Sequence, residues 1–262
     1  MDTVRTPAVA GMFYPNDVHQ LGTMVRDFLN ETKDSTEPVP KAIIVPHAGY
    51  IYSGVVAASA YRRLIPSHDT INRVVLLGPS HHVPLRGLAA TGMTSFATPL
   101  GNVPIDRQAI DEITSLPQVS VLESPHANEH SLEVQLPFLQ DILDDFSVIP
   151  LVVGEVTNEQ VGEVLEKLWG GRETVIIISS DLSHYHDYKT AKKMDKLTSI
   201  AIENLRPENI RHEQACGRHP VNGLLYIARR KGLRAKTIDL RSSGDTAGPR
   251  NQVVGYGAYV FN

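Results

Sequence analysis

Two periods of hydrophobic and polar residues alternate along the chain. Between Asp17 and Glu31 the apolar residues Val18, Leu21, Val25, Phe28 and Leu29 fall near helical spacing, which predicts an amphipathic helix ending before the polar stretch Thr32 to Pro40. Lys41 to Pro46 is a β-branched run bounded by prolines, and a helix through Ala58 to Leu64 should follow, with Ser53 as its cap. Arg73 to Leu77 repeats the strand pattern, whereas Gly87 to Pro104 breaks into short apolar pieces that predict a hairpin or an irregular excursion. Helical spacing returns at Asp106 to Leu116 and from around Asn128 to Leu143. It returns again after Thr157, where Thr157 and Gln160 fit a capping box, over Tyr188 to Asn204, and from Pro220 to Arg230. Strands are expected at Ser147 to Val153, Thr174 to Ile178, Lys236 to Leu240 and in the closing VVGYGAYVF, where Gly255 and Gly257 point to close packing against another backbone.

Strands alternating with helices, without an internal repeat or a break in composition, predict one domain over residues 1–262. The expected class is α/β: a single-domain three-layer α/β/α arrangement around a central mixed, largely parallel sheet. Composition changes this little. The hydrophobic content of 42% and charged content of 21% are those of an ordinary globular protein, and a formal net charge of -4 gives no electrostatic case for nucleic acid. A single cysteine rules out an intramolecular disulfide and fits a reducing compartment. With no signal-peptide pattern at the start and no apolar run of membrane-spanning length, a cytoplasmic protein without membrane association is expected.

The chemistry gathers where strands end. His47 follows one strand in PHAGYIYSG, His81 and His82 follow a second in GPSHH, and Asp181, His184 and His186 follow a third in SSDLSHYH. In an open α/β sheet the crevice beyond the carboxyl ends of parallel strands binds ligands, so these side chains are expected to converge. His47 and His81 are the minimum of a first-row metal site, a loop-stabilising role being the alternative for His47. Neighbours in an extended turn face apart, so only one of His81 and His82 should enter the pocket. A helical turn after the third strand would put Asp181 and His184 on one side, as ligands or as an acid/base pair in which Asp181 orients the imidazole; the alternative is Asp181 as a helix cap.

HANEHSLE matches the H-x-x-E-H pattern of inverzincin proteases through His126 and His130, but Pro125 and Asn128 look like helix-start residues, which would leave His126 in the preceding turn. His130 remains a pocket candidate, while Glu129 and Glu133 are expected to favour a helix N-terminus. Cys216 in ACGRHP is a buried small residue or a soft ligand; Arg218 and the helix start at Pro220 should lower its thiol pKa, and His219 should orient a neighbour or be solvated. The loop SSGDTAGPRN is an ordinary turn or a cover for the pocket. Neither G-x-G-x-x-G nor a Walker A sequence is present, and there is no nucleophilic serine elbow.

RTPAVAGMFYP, PHAGYIYSG, LLGPSHH, EHSLEVQLPFL, SSDLSHY, CGRHP and VVGYGA, in that order and nearly end to end, resemble the Memo family, the Memo component of the prokaryotic AmmeMemoRadiSam group. The resemblance implies a fold similar to LigB-type class III extradiol dioxygenases, which are non-haem iron enzymes. It places two metal-pocket histidines and a cysteine on His47, His81 and Cys216, with Asp181, His184 and His130 beside them. Those dioxygenases hold iron with two histidines and a carboxylate; a thiolate in its place would favour copper, zinc or redox-active iron.

Three functions follow as expectations. One is an iron- or copper-dependent, dioxygenase-like oxidoreductase acting on a small molecule, with His184, Asp181 and His130 handling protons or substrate. Another is a non-enzymatic module binding a peptide or protein, to which the resemblance adds Amme and radical-SAM partners. The third is a zinc-dependent hydrolase.

Overall fold

The computed structural model of the chain describes residues 3–33 and 35–262. Its strands, among the described residues, are β1 (Val4–Arg5), β2 (Ala42–Val45), β3 (Arg73–Pro79), β4 (Leu88–Ala90), β5 (Ser95–Thr98), β6 (Gly101–Pro104), β7 (Val119–Val121), β8 (Ser147–Val153), β9 (Thr174–Ser179), β10 (His184–His186), β11 (Ala235–Ser242) and β12 (Val253–Phe261). The helices are α1 (Val18–Asn30), α2 (Tyr50–Tyr61), α3 (Arg107–Ile113), α4 (Ser124–Ala127), α5 (Leu136–Ile142), α6 (Asn158–Lys167), α7 (Tyr188–Glu203) and α8 (Arg218–Lys231).

Strands β2, β9, β3 and β8 lie side by side and parallel, in the order given, at the centre of the large sheet. They are apolar at almost every position because both faces are covered. Antiparallel strands flank them, β12 against β2 and β4 against β8, while β10 and β11 both pair with β12. Strands β1, β5 and β6 form a separate small sheet whose β5–β6 hairpin falls inside the excursion expected after Gly87. On one face α2 packs against β2, β11 and β12, backed by α1 and α5. On the other, α8 lies on β3 and β9 and pairs with α6, and α7 lies on β11 and β12. This is the mixed three-layer α/β/α fold that the hydrophobic pattern predicts.

Three local expectations are corrected. Helix α2 starts at Tyr50 with Gly49 as its cap, and Ser53 sits inside it, donating to the Ala48 carbonyl at 2.9 Å. The earlier start is possible because the Phe13 carbonyl accepts the Tyr50 N–H at 2.7 Å, which satisfies a donor left free at a helix end. The helix expected from Asn128 to Leu143 is interrupted: α4 ends at Ala127, and α5 begins only at Leu136 after a short 3-10 turn. Between them Glu129 Oε1 accepts the Ser131 N–H at 2.9 Å, a side-chain bond that competes with helical pairing. No helical turn follows β9 either, because His184 continues into β10. Gly255 and Gly257 lie against another backbone as expected, pairing with β11, and Gly255 also bonds the backbone of Leu182 and Ser183; side chains crowd them too. A Cβ on Gly255 would lie 2.0 Å from Asp195 Oδ2, and one on Gly257 would lie 2.4 Å from the Tyr259 hydroxyl.

Asp195, on α7, is buried beneath the loop that follows β9 and accepts the Ser183 N–H at 3.0 Å. Burial outweighs that bond and raises its pKa to about 6. With the folded pKa above the unfolded one, the folded state gains stability while Asp195 is protonated and loses it as pH rises through about 4 to 6. Asp195→Asn should flatten this decline and raise stability at pH 7 relative to wild type by about 1–3 kcal/mol. Urea unfolding at pH 4 and at pH 7 reads the difference, and an unchanged pH slope would refute it.

Candidate metal centre

Because β2, β3 and β9 are parallel, their carboxyl ends share one edge of the sheet, and the residues just beyond them meet there. His47 follows β2, His81 follows β3 and Asp181 follows β9. Cys216 arrives from elsewhere, on the turn before α8. That turn is laid tightly over the end of β9: a Cβ on Gly217 would come within 2.7 Å of the Ser180 Cβ and 2.8 Å of the Ser179 carbonyl oxygen. Gly217 N–H donates to Ser180 Oγ at 3.0 Å, and Cys216 N–H donates to the Asp181 carbonyl at 3.3 Å. The chain can therefore press the thiol into the crevice only with glycine at 217.

Potential ligand atoms of His47, His81 and Cys216 all lie within 4.8 Å of one another, and Cys216 Sγ is 3.2 Å from His47 Nε2. Two ligands held tetrahedrally at ordinary zinc–sulfur and zinc–nitrogen lengths would be roughly 3.5 Å apart, so the donors fit a shared ion. The surrounding bonds fit as well. His47 Nδ1 is 2.9 Å from Ser179 Oγ and His81 Nδ1 is 2.8 Å from Glu129 Oε1, which leaves Nε2 as the free nitrogen of each ring. A partner on the far nitrogen, often a carboxylate, is how proteins fix the tautomer and aim of metal-binding histidines.

Glu129 carries a role that sequence reasoning missed. It is buried, not a helix-end charge, and its Oε2 also accepts the His81 N–H at 2.7 Å. Burial alone would raise its pKa, but the hydrogen bond and charge of His81 overcome this and hold it at about 2. Burial likewise opposes charging His81, yet Glu129 prevails and its pKa is raised. The signal was present as a carboxylate one residue before His130, but nothing in the spacing linked it to His81, 48 residues away. Glu129, His81 and His130 form a second group close enough to hold a cation, although both Glu129 oxygens are already engaged by His81 and Ser131. Glu129→Gln should therefore weaken metal binding about 10–100-fold without unfolding the chain. Competition with a metallochromic chelator measures it, and wild-type affinity in the variant would refute the role.

A cavity of about 570 Å³ opens in front of the cluster and is lined by His47, His81, His130, Asp181 and His184, with Phe13, Tyr52, Tyr185 and Tyr256 among its walls. Part of the loop from Ser243 to Gln252 also lines it, so that loop covers the site rather than serving as a plain turn. Burial lowers the His47 pKa well below the usual histidine range and lowers that of His130 to about 4, whereas it raises that of Asp181. Asp181 Oδ1 accepts the His47 N–H at 2.8 Å. It does not orient His184, whose Nδ1 is 2.8 Å from the Leu182 carbonyl. The expected lowering of the Cys216 pKa is also reversed: desolvation comes first and the Asp181 charge second, and both push the thiol up.

The remaining histidines fall outside the cluster. His126 is buried with Nε2 3.0 Å from the Ala89 carbonyl, which removes the inverzincin arrangement. His82 is exposed, and His219 points its Nδ1 at the Val156 carbonyl at 3.0 Å.

Fold and site together define a three-layer α/β/α protein with a histidine, histidine, cysteine cluster at the carboxyl edge of its parallel strands. The chain belongs to the Memo family: the family model described as Memo-like protein matches residues 5–260. Relatives named MEMO1 family protein include one from Aquifex aeolicus, 37% identical over 98% of this chain and 99% of its own length. Another, from Archaeoglobus fulgidus, is 36% identical over the same shares, and one from Saccharolobus solfataricus is 33% identical, again over 98% and 99%. A crystal structure of an uncharacterised Escherichia coli K12 protein shares the fold alone, with a TM-score of 0.53 and 12% identity over 84% of this chain and 98% of that one. No helix among the described residues is long and apolar enough to cross a membrane.

Proposed function

We propose that the chain is a metal-dependent oxidoreductase, dioxygenase-like in its site, whose iron or copper ion would be held by His47, His81 and Cys216. The observation that carries this reading is the convergence of those three donors, each histidine braced on its far nitrogen, with both histidines lining a cavity large enough for a small organic molecule. A bound redox metal would supply electron transfer and Lewis acidity there. The protein's own groups do the rest. His184 has its Nδ1 on the Leu182 carbonyl, so its Nε2 is free to accept a proton from substrate. His130, kept neutral by burial, can bond a substrate hydroxyl, and the Asp181 carboxyl counters positive charge arising beside it.

Elemental analysis of anaerobically purified protein should find close to one iron or copper per chain. Metabolite profiling with that protein should then reveal a consumed substrate, and His184→Ala should slow its consumption about 10²–10⁴-fold while leaving the metal in place. Zinc retention with ester or amide hydrolysis would transfer the assignment to a hydrolase.

A second reading, a peptide- or protein-binding module, is favoured by the rim. Tyr185 is 72% exposed, and Met12 and Ile51, the sequence neighbours of Phe13 and Tyr52, are exposed as well. Amme and radical-SAM proteins are the partners to test for that reading. Substrate turnover that depends on His184 would count against it.

A further inference from the structure

Cys216 lines a second cavity, of about 460 Å³, which shares no lining residue with the first. Its walls carry Arg86, Arg218, His212 and His219, against a single acidic side chain, Glu155. Arg86 forms no ion pair among the described residues. Arg218 Nη2 and His219 Nε2 each lie 3.5 Å from a Glu155 oxygen, and the Glu155 side chain is 74% exposed, so it is a loose and solvated partner for both. Arg218 Nε is buried and has no hydrogen-bond partner. Buried polar nitrogens are seldom left unpaired, and that of a guanidinium calls for an acceptor carrying negative charge. Helix α8 begins at Arg218 with no acidic residue in its first turn, so its dipole adds positive potential at the same place.

We infer that this cavity is an oxyanion site for a small molecule bearing a carboxylate or phosphate group, bound between Arg86 and Arg218 and beside the Cys216 thiol. Glu155 occupies the position of the incoming group in its absence, and ligand binding displaces it into solvent. Of the proposed metal donors only Cys216 lines this cavity, so His47 and His81 can be altered without touching its walls.

Titration calorimetry of the full chain with inorganic phosphate, and separately with succinate, at constant ionic strength in chloride, tests the inference. One saturable site is expected for at least one probe, and the preferred probe tells a phosphate ligand from a carboxylate. Arg218→Gln should weaken binding about tenfold or more, and Glu155→Gln should tighten it, since the resident competitor is gone. Because Cys216 is the sole cysteine, its alkylation by N-ethylmaleimide should slow as the site fills. Binding retained in a His47→Ala protein would separate this site from the metal assignment. Absence of saturable binding by both probes, or equal affinity in wild type, Arg218→Gln and Glu155→Gln, would overturn the inference. Binding that leaves the thiol rate unchanged would overturn its placement beside Cys216.

Discussion

His47→Ala is expected to strip the metal from the protein while leaving the fold standing. His47 is 2% exposed, and its Nε2 faces Cys216 Sγ at 3.2 Å, so the substitution deletes one of three donors and opens the cluster to water. Losing an outer partner of a metal-binding histidine costs roughly 10–100-fold in affinity, and losing the ligand itself should cost more. Metal content should fall from near one per chain to below about a tenth after dialysis against a weak chelator. The remaining network is self-sufficient: Ser179 Oγ still donates to the Ser131 carbonyl at 2.6 Å and accepts from Gln135 Nε2 at 2.8 Å. Cooperative thermal unfolding should therefore persist. Cys216→Ser should lose the metal too, since a hydroxyl is a poor substitute for a thiolate toward copper or zinc. Unchanged stoichiometry in both variants would remove His47 and Cys216 from the site.

Glu133→Ala should be the most destabilising single substitution outside the apolar core. The Glu133 carboxylate is fully buried and accepts from Arg5 Nη1 at 2.7 Å, from the N–H groups of Ala8 and Val9 at 2.7 and 3.0 Å, and from the Tyr14 hydroxyl at 2.7 Å. Arg5 also donates to the carbonyls of His126 and Glu129. Removing the carboxylate leaves a buried guanidinium without its counter-charge, which typically costs about 3–5 kcal/mol. For a chain of this size that corresponds to a fall in melting temperature of about 10 °C. The consequence reaches the site, because the same segment seats Phe13 with its ring 4.7 Å from that of His130 and its carbonyl on the start of α2. Scanning calorimetry, with limited proteolysis of the N-terminal segment, checks it; a melting temperature within about 2 °C of wild type would refute it. Glu133→Gln, which keeps part of the hydrogen bonding, should fall between.

Much of the architecture was legible because its signals are local. The β8 bounds, Ser147–Val153, and the capping box of Thr157 and Gln160 were readable as they stand, since strand period and cap chemistry are written in adjacent residues. The interruption between α4 and α5 was not. There the apolar spacing is helical, but Glu129 and Glu133 are drawn inward by His81 and by Arg5, partners 48 and 128 residues away. The same limit misled the reading of Cys216. Arg218 and a helix start lie next to it in sequence and suggest an activated thiol, whereas the dominant influences are desolvation and the Asp181 charge.

Residue order alone thus determined the α/β class, the parallel strands and the histidines placed just past their ends, because periodicity and strand termination are short-range properties. Tertiary folding decided which of those side chains meet. It selected His81 over His82, set Glu129 behind the chosen ring, brought Cys216 across the end of β9 through Gly217, and turned His126 away to the Ala89 carbonyl. Each of these rests on pairing and desolvation between segments far apart in the chain, energies that no local pattern encodes.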